Sequence, residues 1–126
     1  MKTPKQRRES RARNIAKFNL LADDEVEIKD DWSHHVDFIV SSRNRPSALC
    51  AVEVKHLSGG KNDIARQFRS FRSKSFKNIS PLMIMYVDEN DFEKGYFEVI
   101  AGGRRIQDLE PMKSTNIKRA FKKIFK

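Results

Sequence analysis

The chain has 126 residues, 26 Lys and Arg against 17 Asp and Glu, and a net charge of +9, so a single domain over 1–126 is expected and a second has no room. Charged residues reach 34%, but 38% hydrophobic residues, nine Phe among them, suffice for a core built along narrow apolar stripes. Cys50, the single cysteine, excludes an internal disulfide, and no apolar run approaches the roughly 20 residues that a membrane span needs.

A balance this basic points to a polyanionic partner, nucleic acid ahead of an anionic membrane surface. Basic runs at both ends flank an acidic stretch over residues 23–31. Residues 1–13 are basic with no apolar segment behind them, which is not a secretory signal; a cytoplasmic protein is expected, with residues 1–6 as a flexible arm.

Along the chain, residues 5–21 read as a helix, with Ala12, Ile15, Ala16, Leu20 and, at the edge, Phe18 forming an apolar arc. Residues 25–29 form a short strand. Residues 36–41 and 49–57, rich in Val, Ile, Leu and Phe around the turn-prone Arg43–Ser47, form a β-hairpin. After Gly59-Gly60, residues 62–76 place Ile64, Phe68 and Phe71 on one helical face. Residues 82–87 are a continuous apolar run, a strand buried on both faces. Another strand covers 96–101 and closes at Gly102-Gly103. Ser114 then caps a helix with the stripe Ile117, Ala120, Phe121, Ile124, Phe125. The order is αβββαββα.

A hairpin centred on Arg45 sets Val36 against Val54, Phe38 against Val52 and Val40 against Cys50, one apolar face. The other face then pairs Asp37 with Glu53, Ile39 with Ala51 and His35 with Lys55. Directly opposed residues have Cβ atoms roughly 4.5–5.5 Å apart, and Lys55 shares the face of Glu53. Two opposed carboxylates repel unless a proton or cation sits between them. A hard divalent ion, Mg²⁺ with Mn²⁺ as substitute, needs only Asp37, Glu53 and a backbone carbonyl, assigned to Val54, while water and phosphate fill its other positions. Such an ion activates water and neutralises charge on a phosphorane-like transition state, and Lys55 can assist at either task. That is chemistry suited to phosphodiester cleavage.

Asp37, a hairpin, then Glu53-Val54-Lys55 resembles the PD-(D/E)XK nuclease superfamily, which includes restriction enzymes and Holliday-junction resolvases. The resemblance covers residues 5–87. It implies an α/β restriction-endonuclease-like core, αβββαβ around a mixed central sheet, here with an extra strand and a C-terminal amphipathic helix. The usual Pro before the Asp is Val36 in this chain, a departure that leaves the ligand chemistry intact. The resemblance also implies an acid from the first helix, for which Glu9 is placed ahead of Asp24, Glu25 and Glu27, and a Gln on the helix after the motif, Gln67.

Arg7, Arg8 and Arg11 on the first helix, with Lys61, Arg66, Arg69 and Arg72 after the motif, are the expected phosphate contacts. No base-reading module is evident, so selectivity should rest on nucleic-acid shape. His34 and His35 lack the spacing of a closed zinc site, with His35 at most assisting from the rim. Cys50 falls on the apolar face and is a core residue. The Gly59-Gly60-Lys61 turn lacks the other residues of a phosphate loop. The expectation is a Mg²⁺-dependent endonuclease on DNA, structure-selective for branched or junction DNA or associated with a phage or mobile element. It would act as a homodimer joined through the C-terminal helix or strand 96–101. Two other readings stay open: the nuclease domain of a secreted interbacterial toxin acting on DNA or tRNA, and an inert basic nucleic-acid-binding subunit.

Overall fold

The computed structural model describes residues 3–30, 36–57, 81–88, 94–102 and 104–125. The helix expected over 62–76 lies outside them. So do His34, His35, Lys61, Arg66, Gln67, Arg69 and Arg72.

The first helix, α1 (Pro4–Leu21), starts where its sequence dictates. The Thr3 hydroxyl accepts from the Gln6 amide, the Gln6 side chain accepts from Thr3 N–H, and Pro4 fills the first helical position, where an amide would be unpaired. Ala12, Ala16 and Leu20, four residues apart, are buried, and the two alanines let the helix lie close on the sheet. Phe18 falls outside the arc and is 77% exposed, because its helical phase turns it to solvent.

Six strands follow: β1 (Val26–Asp30), β2 (Phe38–Ser42), β3 (Leu49–Leu57), β4 (Leu82–Asp88), β5 (Gly95–Ala101) and β6 (Arg104–Pro111); α2 (Ser114–Ile124) ends the fold. They form one mixed sheet in chain order, antiparallel except for the parallel pair β3–β4. The chain is thus an α/β protein with a helix at each end of a six-stranded sheet. No helix among the described residues is long and apolar enough to cross a membrane.

Alternation along the strands sorts side chains onto two faces. Phe38, Val40, Cys50, Val52, Met83, Met85, Phe97 and Val99 join Ala12, Ala16 and Leu20 of α1 and Ile117, Ala120 and Phe121 of α2 in the main core, so both helices cover one face. Ala51, Leu82, Ile84, Tyr86 and Ile100 form a second cluster on the other, with Val36, Ile39 and Leu109 against it. Burial lifts the Cys50 thiol to about 12, as an inert core residue requires.

Two expectations need correction. β6 is a strand although the sequence shows none there. Its alternation is charged rather than apolar because it is an edge strand exposed along most of its length. It turns back from β5 at Gly102, whose φ of 59° suits glycine. β6 also pairs with the outer edge of β5, and Ile117, Ala120 and Phe121 of α2 are buried in the core. Finally, Lys113 rather than Ser114 holds the N-cap of α2, with no side-chain cap bond. Gly95 is needed where β5 begins, since a Cβ there would meet the Tyr86 carbonyl oxygen at 2.8 Å.

Candidate active site

The β2–β3 register is the expected one: Phe38 opposes Val52, Ile39 Ala51 and Val40 Cys50. The ladder stops there. β3 runs on beside β4 to Leu57, and among the described residues no strand pairs with residues 53–57 on the side that faced β2. Asp37 sits at this fork. Its amide donates to the Val52 carbonyl (3.0 Å), and its Oδ2 accepts the Val54 amide at 2.7 Å, standing in for the strand partner that Val54 lacks.

The expected pairing of Val36 with Val54 therefore does not form. The chain bends at Asp37, and Val36 packs in the second cluster with Ile39 instead of beside Phe38. The bend costs nothing in the carboxylate arrangement. Asp37 still meets Glu53, on the wall of one cleft rather than as a ladder pair.

A cleft of about 440 Å³ opens at the fork, lined by Glu9, Ala12 and Arg13 of α1 and by Asp37, Glu53, Val54, Lys55 and His56. Burial, then the hydrogen bond and the charge of Asp37, push the Glu53 carboxyl from its ordinary 4.5 to about 8; Lys55 and Arg13 oppose the rise. Glu53 therefore keeps its proton to higher pH than an ordinary carboxyl. Lys55 Nζ lies 3.9 Å from Glu53 Oε1.

Arg13 is the residue that the sequence reading missed. Its Nε lies 3.0 Å from Asp37 Oδ1, and one terminal nitrogen is 3.4 Å from the Asp37 carbonyl oxygen and 3.7 Å from Asp30 Oδ1. The guanidinium carbon stands 5.3 Å from the centre of the Phe38 ring, within cation–π range. The only signal in the sequence was its helical phase, next to buried Ala12 and one turn after Glu9. That phase suggests a Glu9–Arg13 pair, but among the described residues Arg13 turns to Asp37 and Asp30, and Glu9 stands exposed on the cleft wall. His56 is a second lining residue that the motif did not flag.

Asp24, Glu25 and Glu27, the competitors of Glu9, do not line the cleft. Glu25 borders a separate cavity near the end of α2. Arg7, Arg8 and Arg11 are exposed on α1, on the turns around Glu9.

Among the described residues no three His, Cys, Asp or Glu side chains converge as a ready metal cage. Two adjacent carboxylates still fit Mg²⁺, which keeps most of its waters and takes one or two protein carboxylates. The N–H and C=O of a residue in an extended strand point to the same edge. The Val54 amide donates to Asp37, so its carbonyl is directed at the same fork and can complete an oxygen donor set. Comparison with protein-family models, curated proteins and solved structures gives no match.

Proposed function

We propose that the chain is a Mg²⁺-dependent endonuclease with a restriction-endonuclease-like core, hydrolysing phosphodiester bonds in DNA. The observation that carries this reading is the placing of the Asp37 and Glu53 carboxylates on one cleft where β2 leaves β3, with the Lys55 amine 3.9 Å from Glu53. In this reading Asp37, Glu53 and the Val54 carbonyl hold the ion, which supplies Lewis acidity toward water and phosphate oxygen when bound. Lys55 orients the attacking water and neutralises charge that builds on the phosphoryl oxygens as the P–O bond to the leaving group breaks. Glu9, exposed on the cleft wall, can hold an outer water of the ion. The exposed arginines of α1 add sequence-independent phosphate contacts. Shape-selective cutting of branched DNA by a two-fold dimer is consistent with this chemistry, because no base-reading element accompanies it among the described residues.

The binding-only reading has one observation in its favour: Arg13 already neutralises Asp37, as an inert basic module would keep it. Nicking of supercoiled plasmid in Mg²⁺ and in EDTA separates the two. The nuclease reading expects nicks with Mg²⁺ alone and none from Lys55→Ala; a Lys55→Ala protein that cuts as well as wild type overturns it. Branched DNA, linear duplex and tRNA offered in parallel divide the DNA reading from that of a tRNA-cleaving toxin.

A further inference from the structure

We propose that Arg13 is the phosphate-binding residue of this site, a planar fork that receives the non-bridging oxygens of the phosphate to be cut. The proposal rests on the nucleolytic reading above and assigns that site its anion contact.

Arg13 carries five N–H donors in fixed geometry, and the protein uses them poorly. Nε is shielded from solvent and has no hydrogen-bond partner among the described residues, because Asp37 Oδ1, though only 3.0 Å away, lies off the N–H direction. Among the described residues the one hydrogen bond of the guanidinium is the 3.4 Å contact to the Asp37 carbonyl, and Asp30 is farther still. A guanidinium that serves as a brace makes short paired bonds of about 2.7–2.9 Å. Here Asp37 Oδ2 is committed to the Val54 amide, so no two-oxygen partner is presented to Arg13. The Phe38 ring fixes the guanidinium in place, and the cleft that it lines is open. An under-used fork beside two carboxylates, in a cleft that Lys55 also lines, is complementary to the two non-bridging oxygens of a phosphodiester, which an ammonium cannot grip in the same way.

The test is binding of a fluorescent duplex in EDTA across a salt series, with single-turnover cleavage in Mg²⁺ beside it, for wild type, Arg13→Gln and Arg13→Lys. The expected result for Arg13→Gln is a salt slope smaller by about 0.9, one phosphate contact, and cleavage at saturating duplex lowered at least tenfold. Arg13→Lys should keep the slope and still lose cleavage, since it retains charge without the fork. An unchanged slope in Arg13→Gln, whether or not its melting temperature falls, makes Arg13 a mere brace for Asp37 and overturns the proposal. If Arg13→Gln does not fold, wild-type cleavage by Arg13→Lys overturns it equally. Should wild type not cut nucleic acid at all while the slope still drops, the nuclease reading fails and the phosphate contact stands.

Discussion

Glu53 and Glu98 stand in one lateral row of the sheet, on the same face, with Ile84 of β4 between them. Both are taken largely from water. Glu98 is fully buried, and two donors reach it: the Tyr86 hydroxyl, and Arg105 Nε of β6 at 3.0 Å. Glu53 instead faces a second carboxylate, and its nearest cation among the described residues is 3.9 Å away. One acid has its charge answered inside the protein and braces the β4–β5–β6 sheet. The other sits against a second acid beside the cleft, its charge only partly answered by Lys55 and Arg13, and such an acid keeps its proton to higher pH until a further cation arrives. Burial alone does not mark a chemical site; burial without internal compensation does.

The largest expected effect separates the two acids by function. Glu53→Gln should lower Mg²⁺-dependent cleavage by about 10²–10³-fold, whereas Glu98→Gln should cut at the wild-type rate per folded molecule; a gel-based nicking assay on refolded, concentration-matched proteins reads both.

Stability should rank them the other way. Glu98→Ala strands a buried Tyr86 hydroxyl and the half-buried Arg105, at a cost of about 3 kcal/mol in urea unfolding, while Glu53→Gln should cost little.

The pH dependence sharpens the contrast. Because folding raises the Glu53 carboxyl from 4.5 to about 8, its contribution is fully present below about 4.5 and is lost as pH rises toward 8, where the unfolded chain ionises first. Without metal, wild type should lose up to about 1.4 kcal/mol per pH unit across that window relative to Glu53→Gln, measured by urea titrations at several pH values. Parallel curves would mean that folding does not raise the Glu53 carboxyl. The smallest effect is expected of Tyr86→Phe, about 1 kcal/mol for one lost hydrogen bond to Glu98, with the pH profile unchanged.

Much of this arrangement was legible in the sequence. The alternation of Phe38 and Val40 against Cys50 and Val52 fixes the hairpin register, because a slip by one residue would turn every apolar side chain outward. The 3.6-residue stripe of Ile117, Ala120 and Phe121 likewise announces α2. What stayed hidden depends on contacts between distant segments. The bend at Asp37 follows from the Val54 amide needing an acceptor where β2 ends. β6 is an edge strand whose charged residues carry no apolar period, and without β6 the partner of Glu98 is invisible, so its burial could not be foreseen. Arg13 could be placed on a helix face, but which acid it approaches is decided by how α1 crosses β3, which no local pattern encodes.

The account stands most directly on whether Asp37 and Glu53 share one divalent ion. Calorimetric titration with Mn²⁺ at pH above 8, with and without duplex DNA, should give one ion per wild-type chain, and binding should vanish in the Asp37→Asn/Glu53→Gln double variant. A double variant that takes up Mn²⁺ as wild type does, or a wild type that takes up none under either condition, would contradict it.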